Sequence, residues 1–365
     1  MKIAFFHELP QGGARIAVNE IAQKLSKKHT VDLYLVDSVG PTKQERKSFN
    51  KIYFSKFKEK TWMGKDWGTR LYKDTLERVN LYKLHKVIAE KIDSRNYDFV
   101  FVNASKYIES PFILRFLKTY TVFYMHDPHF RIIYEPILDV PQNLDSPRYV
   151  YEKLNRLILK VLDKQNILNA DLLIANSEYT RRTALKSYGK KSVTGYLGVD
   201  TNFFKPAFKK RSIDLLYIGS RDVLDGFRLL SDSLDLVKSP IKIKTIFKED
   251  EWVDRIKIRD LYRKSKMVVC FGINEPFGLI AIEAMASGVP VIALNEGGYR
   301  ETVLNNKTGY LVPRDPRIIA GKIEYLFKHS DRITALGKRG RMIAQKKWSW
   351  KFRIKELEKI FSHIR

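Results

Sequence analysis

The sequence has very little cysteine, and this scarcity excludes two classes of structure. Cys270 is the single cysteine among 365 residues, so the chain can form neither an internal disulfide nor a zinc site made of cysteine clusters. This composition suits a reducing compartment. The first ten residues, MKIAFFHELP, lack the apolar run of about 7–15 residues that a secretory signal needs, and they predict a buried first strand instead.

A long uninterrupted apolar helix is missing as well. The stretch that comes nearest to a membrane span is residues 276–294, which carries a single charge. A span requires about 20 apolar residues in one continuous helix, whereas Gly288 and Pro290 stop a helix in the middle of this stretch. We therefore expect a helix and then a strand, both of them buried in a protein core.

Acidic residues are in short supply relative to basic ones. The chain has 67 Lys plus Arg against 41 Asp plus Glu, which gives a formal net charge of +26. This imbalance favours an anionic partner such as nucleic acid, an acidic membrane surface or a phosphorylated substrate. A solvated lysine-rich surface without a partner is the plain alternative. Nucleic acid is disfavoured, because the sequence contains no recognisable nucleic-acid module or aromatic stacking platform.

Apolar strands that alternate with helices are abundant. The segments KIAFF, TVDLYLV and TVFYM in the first half, and IDLLYIG, KMVVCF and PVIAL in the second, are typical of the buried strands in βαβ units. A stretch with Gly, Pro and several cations at residues 198–212 separates the two series. We predict two doubly wound α/β domains, at residues 1–200 and 210–345, and an amphipathic helix at 346–365 that belongs with the first domain.

Ligands of open α/β sheets bind at the carboxyl ends of the strands, so the loops that follow strands are the places to look. Gly12 and Gly13 follow the first strand, where a phosphate or sugar can approach the N–H groups of a helix, although a tight turn without a ligand fits equally. His126 follows TVFYM and suits a sugar hydroxyl, but a lone histidine is more often structural. Arg221 follows IDLLYIGS, and its planar guanidinium suits a diphosphate; a plain surface cation is the alternative.

The most informative stretch is CFGINEPFGLIAIEAMASGVPVIALNEGG, at residues 270–298. We expect a strand, an exit loop, and a helix that begins near residues 277–278 and ends before Gly288. The N–H groups of residues 277–279 would then point out of the sheet as donors for a phosphate. Glu275 precedes this turn and Glu283 lies in the helix, so two carboxylates flank the phosphate position and can accept hydrogen bonds from hydroxyls.

This stretch closely resembles the E-x7-E motif of glycosyltransferase family 4, whose members are retaining enzymes of the GT-B fold. The spacing alone is weak, but the surrounding F-G-L and E-A-M-A-S-G-V-P-V-I-A are highly specific. Further segments resemble the family in the same order: LLIANSEYTRRTAL with the later GVDTNFFKP, then LYIGSR, then KKWSWKF. The resemblance extends over most of the chain from Tyr120 onward, together with the glycine loop near the start.

The resemblance implies a role for each matching residue. Glu275 would hold a hydroxyl of the donor sugar and stabilise the reacting centre, and Glu283 would hold the ribose. Arg221 would bind the diphosphate, Gly13 would lie under the donor phosphate, and His126 would lie near the sugar carbon under attack. The implied catalytic residues are Glu275 and His126, and the implied donor-binding residues are Gly12, Gly13, Arg221, Asn274, Pro276, Phe277, Gly278, Leu279 and Glu283.

The implied fold is two Rossmann-like domains that face a cleft, with the C-terminal helix crossing back to the first domain. The implied reaction is retaining transfer of a hexosyl group from a UDP-, GDP- or ADP-sugar to a saccharide or lipid-linked acceptor. The leaving diphosphate would take the acceptor's proton on the same face, so no glycosyl-enzyme intermediate forms. We expect neither a cofactor nor a metal, because the Asp-x-Asp motif of the metal-dependent GT-A design is absent from the sequence.

One departure from the family concerns the diphosphate. Asp225, in SRDVLDGF, stands where the family has a diphosphate-binding lysine, and Arg228 and Lys248 are alternative cations that the sequence does not rank.

The expected location is the cytoplasm, on the cytoplasmic face of a membrane, with Trp62, Trp67 and the cations of the first domain approaching anionic lipid. Two related enzyme classes, nucleotide-sugar epimerases and glycogen-synthase-like polymerases, are alternatives. From another class, the chain could be a non-catalytic basic protein that binds nucleic acid or a membrane while it keeps the sugar-nucleotide fold.

Overall fold

The computed structural model describes residues 1–60, 66–126, 133–134, 146–207, 211–250 and 253–364. The chain forms two compact units. The first contains Met1–Asn176 and Arg181–Thr194, and the second contains Ser177–Thr180 and Gly195–His363. Each unit has one parallel β-sheet, as the alternation of strands and helices predicts.

The first unit has a seven-stranded sheet in the order β3-β2-β1-β4-β5-β6-β7. Its strands are β1 (Lys2–Glu8), β2 (Thr30–Asp37), β3 (Lys51–Lys56), β4 (Phe99–Ser105), β5 (Thr121–Met125), β6 (Leu172–Ala175) and β7 (Val193–Thr194). Its helices are α1 (Gly13–Leu25), α2 (Lys43–Ser48), α3 (Trp67–Tyr72), α4 (Arg78–Asp93), α5 (Pro147–Ile167) and most of α6 (Glu178–Tyr188), with a π-helical turn at Lys73–Glu77 between α3 and α4. The first three residues of α6 belong to the second unit. In the register, Phe5 pairs with both Leu33 and Phe101.

The second unit has a five-stranded sheet in the order β12-β11-β10-β8-β9. Its strands are β8 (Ile213–Gly219), β9 (Ile243–Phe247), β10 (Ser265–Cys270), β11 (Val291–Leu294) and β12 (Gly309–Val312). Its helices are α7 (Phe227–Leu234), α8 (Arg255–Lys264), α9 (Leu279–Ala286), α10 (Tyr299–Thr302), α11 (Pro316–Lys328), α12 (Ser330–Lys347) and α13 (Trp350–Phe361).

The strand orders fix where each sheet can bind a ligand. In the first sheet the order reverses between β1 and β4, and in the second it reverses between β8 and β10. A crevice opens outside the carboxyl ends of the strands at such a reversal, since the chain leaves the two neighbouring strands in opposite directions. The loops that the sequence singled out after β1, β8 and β10 therefore start at these two reversals.

Residues 276–294 form a helix and a strand within the core, as predicted. Helix α9 is followed by Gly288, which has a φ of +72°, and then by β11. Ile282, Ala284 and all of β11 have no exposed surface. Among the helices of the described ranges, none combines the length and the apolarity that crossing a bilayer would take.

The C-terminal helix is assigned differently from the sequence expectation. The sequence placed residues 346–365 with the first domain, whereas α13 is part of the second unit. The contacts at its start explain this assignment. Trp350 donates its backbone N–H to Val199 O at 3.2 Å, and Val199 donates to Trp348 O at 2.7 Å.

Candidate functional site

Glu275 lies in the loop after β10, at the sheet reversal of the second unit. The side chain is partly buried, and its Oε1 accepts a hydrogen bond from the backbone N–H of Gly278 at 3.3 Å. The Glu275 carboxylate therefore accepts the hydrogen bond of one of the N–H groups that we predicted from the sequence to bind a phosphate. Gly278 begins α9 with a φ of +94°, and a Cβ there would come within 2.8 Å of the Tyr299 ring.

A second glycine pair holds this loop in place. The N–H of Gly298 donates to Glu275 O at 2.7 Å. A Cβ on Gly297 would overlap that same carbonyl oxygen, and a Cβ on Gly298 would lie 2.6 Å from Phe277 Cα. The two glycines that end the predicted motif thus allow the backbone after β11 to pack directly on the Glu275 loop. From the sequence alone, no role was predicted for these two glycines.

Glu296, next to these glycines, is a residue that sequence reasoning missed. Its Oε1 accepts from the N–H of Asn274 at 2.8 Å, and Asn274 itself has a φ of +50°. Arg314 binds both oxygens of Glu296, each at 2.7 Å. This bidentate pair fixes the residue that precedes Glu275 in a left-handed conformation, which Asn tolerates better than most residues.

Glu283 lies in α9, where its Oε2 accepts a hydrogen bond from the Tyr262 hydroxyl at 3.0 Å. Tyr262 is fully buried, and burial together with this carboxylate raises its pKa well above the usual range. Cys270 is buried, and burial and then the negative charges of Glu275 and Glu283 raise its pKa. Both groups therefore stay neutral, and the thiol has no nucleophilic character.

The loop after β8 packs on the loop after β10. Ile273 donates its N–H to Leu224 O at 2.7 Å, and a Cβ on Gly226 would overlap the carbonyl oxygen of Phe271. The structure thus brings the two strand-end loops that the sequence selected in this unit side by side.

Arg221 is turned toward the end of β9. Its guanidinium binds both oxygens of Asp250, at 2.6 and 3.0 Å, and lies 4.0 Å above the centre of the Phe247 ring. Half of the side chain is exposed. Asp225, the residue that departs from the family pattern, accepts from Ser220 at 2.6 Å and from Lys248 at 3.1 Å. Lys248 is therefore held against this loop, and the other candidate, Arg228, is exposed.

In the first unit, Gly12 and Gly13 lie at the start of α1, beyond the carboxyl end of β1. No side chain caps this helix, and the space around a Cβ on Gly12 contains no atom within 4 Å. Among the described residues, the space next to Gly12 is therefore open, and phosphate binding at the start of α1 stays a prediction.

His126 lies at the end of β5, and its ring orientation is set by Asn103 of β4. The Asn103 Nδ2 donates to Phe6 O at 3.2 Å, so its Oδ1 must face His126 Nε2, which lies 3.1 Å away. Burial, and then the nearby His7, lower the pKa of His126 to about 3. The imidazole is therefore neutral with its proton on Nε2, and Nδ1 is a buried acceptor with no hydrogen-bond partner in the described part of the chain.

Other buried polar groups near the β1 end escaped sequence reasoning. Arg15 binds both oxygens of Glu45, at 2.7 and 3.0 Å, and binds Asp37 at 2.8 Å. Although burial opposes it, the nearby His7 and the hydrogen-bonded Arg15 hold the pKa of Glu45 below its usual range. The partners come from β1, α1, β2 and α2, and charged residues so far apart in sequence give no local signal.

The predicted residues thus fall into two groups. Gly12, Gly13 and His126 belong to the first unit, while Arg221 and the loop of residues 274–283 belong to the second. Among the residues that the structure describes, no three His, Cys, Asp or Glu side chains are grouped to hold a metal ion.

Two Rossmann-like parallel sheets, each with its loops at the strand reversal, place the molecule in the GT-B class. Two solved structures share this fold: the sucrose-phosphate synthase of Thermosynechococcus elongatus, with a TM-score of 0.72, 17% identity and coverage of 100% of this chain and 98% of that one, and Anabaena HepE in complex with UDP and glucose, with a TM-score of 0.68, 18% identity and full coverage of both chains.

The chain belongs to glycosyltransferase family 4. The profile described as Glycosyltransferase Family 4 matches residues 11–203, more than half of the chain, and the profile described as Glycosyl transferases group 1 matches residues 241–343. An uncharacterized glycosyltransferase of Methanocaldococcus jannaschii is 26% identical over 54% of this chain and 60% of its own length. The D-inositol 3-phosphate glycosyltransferase of Kineococcus radiotolerans is 29% identical over 51% and 56%. The chain thus spans less than two thirds of the length of these relatives.

Proposed function

We propose that the protein is a retaining glycosyltransferase that moves a hexosyl group from a nucleotide-diphosphate sugar to a hydroxyl of a saccharide or lipid-linked acceptor. The bond from the anomeric carbon to the diphosphate oxygen breaks, and a bond to the acceptor oxygen forms on the same face. The acceptor's proton passes to the leaving diphosphate. No metal and no covalent sugar–enzyme intermediate take part.

The observation that carries this proposal is the position of Glu275. It lies at the sheet reversal, its carboxylate is fixed by the N–H that begins α9, and the glycine pair packs against its backbone. A carboxylate fixed in this way is preorganised to hold a sugar hydroxyl as positive charge develops at the anomeric carbon. Glu283, eight residues further on, takes the ribose.

The diphosphate is held by cations at the ends of β8 and β9. Arg221 is the first, and Lys248 takes the place of the family's lysine, because Asp225 holds its ammonium group at the loop after β8. On the resemblance to the family, Gly13 lies under the donor phosphate and His126 lies near the sugar carbon under attack. Glu275 and Glu283 do not act as the two carboxylates of a retaining glycosidase, since the leaving group itself acts as the base.

The donor can carry uridine, guanosine or adenosine. Anabaena HepE was solved with UDP and glucose, which supports testing a UDP-sugar first. The excess of cations and the proposed lipid-linked acceptor support a location at the cytoplasmic face of an anionic membrane.

The test begins with thermal-shift screening of UDP-, GDP- and ADP-sugars, because a ligand at 100 times its Kd adds about 2.7 kcal/mol to the stability of the folded state. With the donor known, we expect Glu275→Gln to reduce kcat by about 10²–10³-fold. The matched control is Glu90→Gln on the exposed side of α4, which leaves kcat unchanged.

Two further measurements decide the chemistry. NMR of the product gives the anomeric configuration, which is the same as that of the donor if the enzyme is retaining. Transfer continues at the same rate in EDTA if no metal takes part. Full activity of a folded Glu275→Gln variant, or an inverted product, would refute the proposed mechanism.

A further inference from the structure

Helix α5 in the first unit exposes an apolar stripe. Leu154, Leu157, Ile158 and Val161 are each between 53% and 57% exposed, and their spacing of three and four residues places them on one face of the helix. Val150 and Leu168 extend the stripe at either end. A surface helix of a globular protein normally turns its apolar residues toward the core, as Leu159 and Ile167 do here, so a second apolar stripe on the exposed side is unusual.

The opposite face of α5 explains why the apolar side is outside. Asp163 is fully buried and accepts hydrogen bonds from the hydroxyls of Tyr134 and Tyr188, at 2.9 and 2.8 Å, and from the N–H of Ser110 at 2.7 Å. Asn155, also buried, accepts from Arg78 at 3.0 Å. These polar contacts fix the rotation of the helix, because turning the apolar face inward would leave buried polar groups without partners.

The charges beside the stripe are positive. Lys153, Lys160 and Lys164 precede or follow Leu157 by four, three and seven residues, so they lie along one edge of the stripe. The two acidic residues of the helix are occupied elsewhere, since Asp163 is buried and Glu152 binds Arg70 at 2.9 Å. Along the stripe the described surface of α5 therefore offers cations and no free carboxylate.

An aromatic side chain lies next to α5. Trp67, which begins α3, contacts the Tyr151 ring edge-on with the ring centres 5.3 Å apart, and the indole remains 45% exposed. Leu71, one turn later in α3, is half exposed. Tryptophan combines an apolar ring with a polar N–H and is enriched where protein meets the membrane interface. The sequence had selected Trp67 for this reason, but it had not selected α5; Trp62 lies outside the described residues.

We propose that α5, together with Trp67, is the surface by which the protein docks on an anionic lipid bilayer. The helix has 21 residues and is about 32 Å long, so its stripe forms a straight apolar edge. Lying in the plane of the membrane, the stripe enters the boundary between headgroups and acyl chains while the three lysines meet anionic headgroups. This proposal adds a membrane-binding surface to the proposed function. It rests on that function only in one respect, since transfer to a lipid-linked acceptor would require the enzyme to bind a membrane.

The experiment is co-sedimentation of the full chain with vesicles of phosphatidylcholine, with or without phosphatidylglycerol. We expect wild type to sediment with the anionic vesicles. The double variant Leu157→Ser, Ile158→Ser should bind at least about tenfold more weakly, because it removes two inserted side chains. The matched control is Ile256→Ser in α8, a position that is 58% exposed on the other unit, and it should bind as wild type does.

A charge variant keeps the test valid if the apolar variant does not fold. Lys153→Gln, Lys164→Gln retains the stripe and should lose the preference for anionic over neutral vesicles. Sugar transfer to a water-soluble acceptor should be unchanged in both variants, so failure of docking and failure of the transferase give different results. The proposal is overturned if wild type ignores anionic vesicles. It is likewise overturned if the substitutions abolish a dimer in size-exclusion chromatography or the capture of an acidic protein instead of vesicle binding.

Discussion

The most apolar stretch of the sequence and the exposed apolar stripe of the described protein are different segments. Residues 276–294 carry one charge and are buried as α9 and β11, whereas α5 carries seven charged residues and exposes its aliphatic side chains. The difference between the two helices lies in the contacts that each of them makes with the rest of its unit. Helix α9 is covered by α12, whose Gly340 lets Met285 come within 3.3–3.5 Å of the position of a Cβ. The inward face of α5 carries the buried polar residues Asp163 and Asn155 beside Leu159 and Ile167, so its rotation is fixed by polar contacts.

The comparison is tested most strongly by the same substitution in both helices. Ile282→Ala in α9 should lower the free energy of unfolding by about 2–5 kcal/mol, because a fully buried side chain leaves a cavity. Ile158→Ala in α5 should change it by no more than about 0.5 kcal/mol, since more than half of that side chain is exposed. Urea unfolding of the purified variants gives both values.

Trp348 and Trp350 supply a fluorescence signal from the unit that contains Ile282. If Ile158→Ala lost as much stability as Ile282→Ala, the stripe on α5 would be covered in solution, and its assignment as a free surface would be wrong.

Most of the parallel sheets could be predicted from the sequence, because central strands buried on both faces are short apolar runs bounded by turns. The segments of β1, β5, β8, β10 and β11 were each identified in this way. The helices and strands within residues 41–97 could not be assigned from the sequence, because α2, β3, α3 and α4 are polar and partly exposed. Many lysines and a π-helical turn interrupt the apolar periodicity by which such elements are recognised.

The site was predictable where its residues are consecutive and not where they come from separate segments. The loop from Asn274 to Gly278 was identified as a unit before the structure. Its supports, Glu296 with Arg314, are distant in sequence and carry no local signal. The same holds for Asn103, which sets the tautomer of His126 from a neighbouring strand. The roles of the site residues remain predictions that the experiments here address.

The comparison of buried and exposed groups extends to titration. Folded His126 stays neutral down to a pH of about 3, whereas in the unfolded chain it binds a proton near a pH of about 6.5. Below a pH of about 6.5 the unfolded state therefore binds more protons than the folded state, and the free energy of unfolding falls as the pH is lowered. Between about pH 7.5 and 5, His126 should lower the free energy of unfolding by about 2 kcal/mol. The measurement is urea unfolding at both pH values.

The variant His126→Gln isolates this contribution, because it should lose less stability than wild type over the same pH interval. His363, exposed after α13, is the matched control position, and His363→Gln should retain the wild-type pH dependence. Equal pH dependence in wild type and His126→Gln would mean that His126 is solvated or charged in the folded protein, which contradicts the Asn103 contact.

The smallest effect on stability is expected for the exposed ion pair of Arg221 and Asp250. Both side chains are about half exposed, and such pairs contribute little because water and salt screen them. Asp250→Asn should therefore leave the urea midpoint where it is. It should nevertheless tighten binding of a nucleoside diphosphate several-fold in calorimetric titration, since the guanidinium no longer has a competing carboxylate. Glu90→Gln, which removes an exposed carboxylate of α4 on the other unit, should change neither quantity. If Asp250→Asn left the affinity unchanged, Arg221 would be a surface cation only, and Lys248 would be left to hold the diphosphate.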